Sequence, residues 1–403
     1  MSAEDHDQVT TFYDRHPYPP PINDLEPYVR AWQDGTRQRV DHHLMWPSIE
    51  FRGDHTILVA GCGTSQAAKY AIRYPEARVV GIDVSTTSIE QTQVLAERHG
   101  LENVELHVLP ISRVGELTMA FDQIVCTGVL HHLADPDEGL RALADVLTID
   151  GALNLMVYAP YGRAGVYMIQ DYCQRLGIGT SREEISDLVT TLRELPVGHP
   201  LSYRLRSTPD FQDPDALADA LLHPRDRSYS VPEVFEFVRA SGLEFGRWVR
   251  QAPYLPTCGS LAMVPHGDRI SALPLEEQHA AVELFRGTIT RHSFIAHRSD
   301  RAIGSQVSFQ GDEWQRYVPI RPDTVISVEE RLPDGAAAAL LNRAHECPDL
   351  VLFVDQNERR MFDAVDGTTR LEAIADADRD FFKRLWEHDL VVFDTSAAVK
   401  RRA

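Results

Sequence analysis

The sequence lacks any apolar run long enough to cross a membrane, and it is poor in cysteine. Its first ten residues are acidic and polar, without the basic region and apolar stretch of a secretory signal peptide. The five cysteines are scattered and form no CxxC pair, which argues against a structural zinc site or a disulfide framework. These absences favour a reducing, cytoplasmic location and leave open only export that needs no signal peptide.

Positive charge is also scarce, because 40 Lys and Arg face 60 Asp and Glu and give a net charge of −20. The negative electrostatic field of such a chain repels the phosphates of a nucleic acid, so we expect no nucleic-acid partner. The same field suits a basic protein as partner. Acidity that only keeps the chain in solution is the alternative interpretation.

Short apolar runs with β-branched residues alternate with helix-like segments through the first part of the chain. This alternation predicts an α/β fold with a doubly wound, Rossmann-like parallel sheet. The first five predicted strands are Thr56–Ala60, Ala77–Asp83, Val104–Leu109, Phe121–Thr127 and Ala152–Tyr158. Two later strands, Leu243–Arg250 and Ser260–Val264, are predicted to form a hairpin and to bring the sheet to seven strands.

Between these two groups of strands, residues 163–242 are predicted to form a helical insertion that acts as a lid or a homodimer contact. Its helix candidates are Ala164–Leu176, Arg182–Leu195, Asp215–Leu222 and Pro232–Ala240. The predicted core then comprises residues 1–162 and 243–267.

Residues 268–403 are predicted to form a small α+β, winged-helix-like accessory domain. It would open with one long helix over Pro274–His297. The later elements predicted are helices at Ala336–His345 and Arg370–Glu387, hairpin strands at Leu350–Phe353 and Arg360–Ala364, and a last strand at Leu390–Asp394.

The sharpest local signal is the turn Gly61-Cys62-Gly63, which follows a predicted strand and precedes a helix. Glycines there let the backbone approach a ligand, and Asp83 stands where an acid can accept both hydroxyls of a ribose. The dinucleotide fingerprint requires a third glycine at the position of Gln66, whereas S-adenosylmethionine (SAM) has no pyrophosphate and tolerates the substitution. A tight turn without a ligand is the alternative.

Four motifs in order resemble those of the class I SAM-dependent methyltransferases. Ile57–Thr64 resembles the first motif, Val80–Ser85 the second, Phe121–Pro136 the fourth-strand motif, and Leu147–Leu155 the element that follows it. The resemblance covers most of residues 1–267 and implies this fold, methyl transfer as the activity and SAM as the cofactor.

The resemblance also implies roles by position. Gly61 and Gly63 would approach the methionine part of SAM, Asp83 would bind the ribose, Val84 would pack on the adenine, and Thr127 would lie beneath the sulfonium. Cys62, in the same turn, is interpreted as a small buried hydrophobe.

One position departs from the family pattern. Many relatives carry an acid after the third strand that binds the adenine amino group, and this chain has Pro110 there. Backbone groups of Ile111 or its neighbours would have to substitute.

The aromatic and proline-rich segment Phe12–Pro19 is predicted to cover the cofactor, with Tyr13 and Tyr18 as the contacts. A stiff arm that packs on the domain surface is the alternative.

His131, His132 and Tyr18 are the catalytic candidates. The two histidines follow the fourth strand, near which the methyl group would be transferred, but a hydrogen-bonded structural role fits them about as well. No metal is expected, because adjacent side chains diverge and no partner ligands have suitable spacing. A dedicated base is optional for a displacement that depends on positioning.

The whole layout, an aromatic–proline arm, a class I core, a helical insertion and a C-terminal module, resembles a bacterial protein-lysine methyltransferase of the histone-modifying type. It implies a lysine of a basic, histone-like protein as the acceptor. A small-molecule or lipid methyltransferase and a SAM-binding regulator without catalysis are the alternatives.

Overall fold

The computed structural model describes residues 3–16, 19–202, 205, 213–301 and 307–398. Seven strands form the central sheet in the order β3-β2-β1-β4-β5-β7-β6. Their bounds are Thr56–Ala60 (β1), Arg78–Asp83 (β2), Val104–Val108 (β3), Phe121–Thr127 (β4), Leu147–Tyr158 (β5), Leu243–Trp248 (β6) and Arg291–Arg298 (β7). Strands β1 to β5 pair in parallel, and β7 runs antiparallel to both β5 and β6. The α/β class and the seven-stranded sheet are confirmed.

Helices cover both faces of the sheet, and their first turns are set by polar caps. Ser85 accepts from the backbone N–H of Ser88 and begins α5 (Thr86–Arg98), while Asp135 caps α6 (Pro136–Asp145) in the same way. Helix α4 (Gln66–Arg73) follows the glycine turn. On one face the core contains fully buried Leu58 and Ile124, because strands covered on both faces are apolar at successive positions.

The seventh strand is not where the sequence pattern predicted it. Gly259–Met263 is a 3-10 turn, and β7 comes from residues that were predicted to end a long helix. That helix stops at Arg286, where Gly287 adopts a positive φ of 61°. The prediction of a hairpin between Leu243–Arg250 and Ser260–Val264 is therefore wrong, and residues up to Arg298 belong to the sheet.

Three helices precede the sheet: α1 (Ala3–Arg15), α2 (Glu26–Trp32) and α3 (Gly35–Met45). In the predicted insertion the structure has α7 (Ala164–Leu176), α8 (Arg182–Arg193), α9 (Pro214–Leu222) and α10 (Val231–Ala240). The first three of these four pack on one another and on Phe12, forming a separate apolar cluster. Helix α10 instead joins the main core through Val234 and Phe237, so the part of the insertion that stands apart from the sheet is shorter than predicted.

After β6 come α11 (Gly267–Ser271) and α12 (Leu275–Arg286), which lead into β7. The C-terminal region contains β8 (Val318–Ile320), β9 (Val325–Val328), β10 (Ala338–Asn342), β11 (Val351–Val354), α13 (Gln356–Asp363), α14 (Arg379–Glu387) and β12 (Val392–Asp394). The prediction had helix and strand reversed twice, since Ala336–His345 contains strand β10 and Arg360–Ala364 lies at the end of α13. Strands β9 to β11 form one small sheet, and β8 pairs with β12 in another.

A buried carboxylate ties this C-terminal region to the central sheet. Asp389 accepts a hydrogen bond from Arg247 on β6 at 3.1 Å and one from the backbone N–H of Ala252 at 3.0 Å. His345 Nε2 lies 3.1 Å from Oδ2, the same oxygen that accepts from Ala252. Burial works to raise the pKa of Asp389, but His345 and Arg247 hold it below its ordinary value.

Among the described residues, no helix combines the length and the apolar character needed to span a membrane.

Candidate functional site

A cavity of about 420 Å³ opens at the carboxyl ends of β1, β2, β4 and β5. In open α/β sheets ligands bind at this edge, near the point where the strand order reverses. Of the residues that the sequence assigned to the cofactor, those that line the cavity are Tyr13, Gly61, Cys62, Gly63, Asp83, Val84, Ile111 and Thr127. The cavity also contains His132, one of the three catalytic candidates.

The glycine turn has the geometry that its sequence requires. Gly61 and Gly63 adopt positive φ angles of 68° and 53°, and a Cβ on Gly61 would lie 2.4 Å from a methyl group of Val129. Between them, burial raises the pKa of the Cys62 thiol well above its ordinary value, so this sulfur is packing material and not a nucleophile.

Asp83 stands at the end of β2 with both oxygens engaged. Oδ2 accepts from the backbone N–H of Gly63 at 2.8 Å, and Oδ1 accepts from that of Ser85 at 2.9 Å. Burial raises the pKa of Asp83, while these N–H donors act to lower it. The carboxylate is thus held in place and faces the cavity with lone pairs that remain available for hydroxyl groups.

On the other side of Asp83, Val84 and buried Ile111 form an apolar wall that suits a flat ring. Ile111 begins a 3-10 turn, so its backbone N–H is not committed to a preceding helical turn. Ser112 also lines the cavity, and the sequence pattern did not single it out.

Gln66, which occupies the third glycine position of the dinucleotide fingerprint, makes a side-chain hydrogen bond at the edge of the site. Its Nε2 donates to the hydroxyl of Thr127 at 2.9 Å, and this bond joins the first turn of α4 to the end of β4. Thr127 was expected beneath the sulfonium, and Gln66 fixes the rotamer of that side chain.

Two polar groups at the start of α4 were missed by the sequence analysis. The Ser65 hydroxyl is buried and has no hydrogen-bond partner among the described residues. One helical turn on, Lys69 lines the cavity, and burial together with the charge of Arg73 lowers its pKa. A hydroxyl and a cation near a helix N-terminus can bind a carboxylate such as that of a bound amino acid.

Helix α1 closes the cavity from above and contacts both of its ends. At one end, close to Asp83, Asp14 accepts a hydrogen bond from the Ser85 hydroxyl at 2.7 Å. At the other end, the Tyr13 hydroxyl donates to Asp219 of α9 at 3.1 Å. Tyr13 therefore lies where the lid hypothesis requires it. Tyr18, the other predicted lid contact and a catalytic candidate, lies outside the described residues.

Beyond Thr127 the cavity ends in a buried polar cluster. His132, which belongs to a short 3-10 turn after β4, has Nδ1 2.6 Å from the carbonyl oxygen of Arg225. His223 stacks on it with ring centroids 3.9 Å apart and an angle of 36° between the planes. Burial lowers the pKa of His132 to about 4 and that of His223 to about 2, so both rings are neutral near pH 7.

The adjacent histidines have different surroundings. His131 does not line the cavity, and it packs on the Tyr158 ring with centroids 4.0 Å apart. Neither of its ring nitrogens has a partner among the described residues. Of these two candidates, His132 alone reaches the space where an acceptor would be held.

His132, Asp219 and His223 lie close enough to resemble a metal site, since one ligand atom from each falls within 4.8 Å of the others. The two rings overlap at an angle of 36° between their planes. Nδ1 of each ring already contacts the Arg225 carbonyl, which leaves only Nε2 of each ring for an ion. The expectation of no metal stays a prediction.

Asp219 and His223 were not predicted as site residues. Asp219 lies on α9 and His223 directly follows the end of that helix, so the two are four positions apart, a spacing that is visible in the sequence. Nothing in that spacing shows that the helix folds back over the end of β4. Tyr158 was missed although it ends β5, the position at which parallel strands present functional side chains.

Comparisons with known proteins identify the family of the chain. Residues 58–153 match the family described as a methyltransferase domain. The uncharacterized protein syc1184_c of Synechococcus sp. is 31% identical over 300 residues, which are 72% of this chain and 71% of that protein. The chain belongs to the class I SAM-dependent methyltransferases.

This methyltransferase also resembles proteins of known activity or structure. The tRNA U34 carboxymethyltransferase of Desulfotalea psychrophila is 30% identical over 126 residues, which are 31% of this chain and 36% of that enzyme. The structure of PKMT2 from Rickettsia typhi in complex with AdoHcy matches with a TM-score of 0.60 at 17% identity, and the match covers 94% of this chain and 77% of that one. This likeness concerns the fold.

SAM is the cofactor of this methyltransferase, and the residues of the cavity fit it. The glycine turn leaves room for a chain that approaches the backbone, and the buried Asp83 carboxylate can accept hydroxyl groups. The Ser65 hydroxyl, for which the described part of the chain offers no hydrogen-bond partner, and Lys69 lie where a carboxylate would be held.

Proposed function

We propose that this methyltransferase transfers the methyl group of SAM to the side-chain amine of a lysine in a basic protein. The observation that carries the proposal is the buried carboxylate of Asp219, which lines the cavity beyond Thr127. A carboxylate that forms part of a cavity wall favours an acceptor with N–H donors and positive charge.

The size of the cavity supports a slender acceptor. Its volume of about 420 Å³ lies in the lower half of the usual range for small-molecule sites, and SAM itself must occupy much of it. Tyr13 and Tyr158 also line this cavity, and their rings would flank the side chain of the acceptor. The net charge of −20 adds long-range attraction for a basic protein.

The residues of this chain would act mainly by positioning. Bound SAM supplies a methyl group on a positively charged sulfur, and its C–S bond breaks while the amine nitrogen forms the new N–C bond. A lysine has a pKa of ~10.4, so the amine must lose a proton to water before it attacks. Asp219 would draw the charged side chain into the cavity, and Tyr13 and Tyr158 would line its path.

The first experiment incubates the enzyme with labelled SAM and a panel of basic proteins, lipids and small metabolites. We expect label on a basic protein and, by mass spectrometry, methyl-lysine in it. With SAM saturating, the rate should fall as salt rises, because the Debye length shortens from ~10 Å at 0.1 M to ~3 Å at 1 M. Label on a lipid or a metabolite alone, or a rate that ignores salt, would contradict the proposal. Tight SAM binding with no transfer would favour the regulator.

A pair of matched variants tests Asp219 itself. Asp219→Asn should raise KM for the protein acceptor roughly 10- to 100-fold, since a hydrogen bond to a charged group contributes about 1.5–3 kcal/mol. Its SAM affinity should change little.

Asp215→Asn is the control, because Asp215 also ties α9 to α1, through His16 at 2.8 Å, but does not line the cavity. Equal effects of the two substitutions would mean that Asp219 only holds α1 in place.

A further inference from the structure

His132 has a defined tautomer in this structure. A carbonyl oxygen only accepts, so the 2.6 Å contact between His132 Nδ1 and the Arg225 carbonyl places the proton on Nδ1. The ring is neutral, and its Nε2 therefore carries a lone pair. Because the ring lines the cavity, this lone pair is the feature that His132 offers to a bound acceptor.

The surroundings of His132 keep the ring from turning. His223 covers one face of it, and the Nδ1 of His223 also contacts Arg225, through the backbone N–H at 3.0 Å and the carbonyl oxygen. Tyr158 approaches from another side with its ring nearly perpendicular and 5.8 Å away. One backbone residue thus holds both stacked imidazoles.

His132 and Asp219 lie close enough for one nitrogen to contact both. Within the cluster, a ring nitrogen of each histidine and an Asp219 oxygen lie within 4.8 Å of one another. A tetrahedral nitrogen that donates two hydrogen bonds of about 2.9 Å spaces its two acceptors by about 4.7 Å. An NH2 group could therefore donate to His132 and to Asp219 at once.

We propose that His132 Nε2 accepts an N–H of the attacking amine while Asp219 accepts the other, so that the nitrogen lone pair is directed at the methyl group. This inference rests on the proposed lysine acceptor and adds His132 as a residue that touches it. His223 and the Arg225 carbonyl are positioning groups that act through His132.

The step balances without proton transfer to His132. The neutral amine keeps both N–H bonds, its lone pair forms the N–C bond, and the electrons of the C–S bond remain on the sulfur. The methylated ammonium then loses one proton to water. With a pKa near 4, His132 is too weak a base to remove a proton from lysine, and in this role it need not do so.

Two substitutions separate the link to Arg225 from the contact with the acceptor. An Asn at position 132 can donate to the Arg225 carbonyl as Nδ1 does, but it offers nothing at the position of Nε2. A Gln places an amide oxygen near the Nε2 position but loses the hydrogen bond to the Arg225 carbonyl. We expect His132→Gln to retain at least a tenth of wild-type kcat/KM for the acceptor, and His132→Asn to lose more than 100-fold.

The SAM Kd from calorimetry should stay within about threefold in both variants, which also shows that they fold. The matched control is His131→Phe, which keeps a ring against Tyr158 and removes nitrogens that have no described partner. This variant should keep kcat/KM within about threefold of wild type.

If the kcat/KM of His132→Asn equals or exceeds that of His132→Gln, His132 has only a structural role and the inference is overturned. Loss of SAM binding in both variants would overturn it as well, because His132 would then support the cofactor site. If the product contains methyl-lysine but His132→Asn has a higher kcat/KM than His132→Gln, this inference fails and the proposed function stands. If the methylated atom proves to be a carbon or sulfur, the inference and the proposed function both fail.

Discussion

Asp83 already accepts one backbone hydrogen bond on each oxygen, from Gly63 of the glycine turn and from Ser85, so it is in position before the cofactor arrives. We expect Asp83→Ala to weaken SAM binding roughly 10- to 100-fold, because ribose hydroxyls would lose a charged acceptor that contributes about 1.5–3 kcal/mol. Calorimetric titration with SAM measures this. Glu105→Ala is the control, since it removes an exposed carboxylate from the neighbouring strand β3. Unchanged affinity in a folded Asp83→Ala variant would contradict the assignment.

At the same scale, the cofactor residues could be predicted and most of the acceptor residues could not. Asp83 and Thr127 end parallel strands and Gly61 directly follows one, and such ends meet at one edge of a sheet whatever the rest of the chain does. Asp219 and His223 reach that edge only because α9 packs back over it, with Tyr13 as one contact. Nothing local in the sequence specifies that packing.

Among the elements, β7 shows why a strand escaped prediction. It begins and ends with arginines, and its histidines at 292 and 297 interrupt the apolar pattern that marks a buried strand. In the fold His292 Nδ1 lies 2.9 Å from the Tyr254 hydroxyl and Nε2 lies 3.1 Å from the Glu283 carboxylate. Both ring nitrogens of His292 therefore have partners on other elements, which the local periodicity of β7 does not show.

The contact between the C-terminal elements and β6 can be tested at Asp389. We expect Asp389→Ala to lower the free energy of unfolding by about 3–5 kcal/mol, because it leaves Arg247 buried without its counter-charge. Urea denaturation measures the change. Asp300→Ala breaks an exposed pair with Arg298 and should cost at most about 1 kcal/mol. Equal losses in the two variants would show that the buried pair does not hold the C-terminal region.

For the molecule as a whole, the buried histidines set the response to acid. Burial lowers the pKa of His42 and His297 to about 3 and that of His279 to about 4, against about 6.5 in an unfolded chain. Between these values the unfolded chain binds more protons than the folded one. Their contribution to stability is therefore full above about pH 6.5 and is lost as the pH falls toward 3.

We accordingly expect the midpoint of urea unfolding to decrease between pH 6.5 and 5, a window in which ordinary carboxylates remain ionised. The control is His297→Gln. This variant should flatten the slope of the unfolding free energy against pH, because unfolding then takes up as much as one proton fewer. A midpoint that stays constant or rises as the pH falls to 5 would contradict the assignment of neutral buried histidines.

The pairing of β5 with β7 also affects how the chain folds while it is being synthesised. The two strands join residues from Ala152↔His297 to Tyr158↔Arg291, and the segment between their near ends contains more than 130 residues. At synthesis rates of about 5–20 residues per second, the ribosome needs roughly 7 to 26 s to produce that segment. During this interval β5 is the open edge of a growing sheet, and a nascent chain with such an edge is exposed to wrong pairing. The helices α7 to α9, which form their own apolar cluster, emerge first and can fold before the strand that completes the sheet leaves the ribosome.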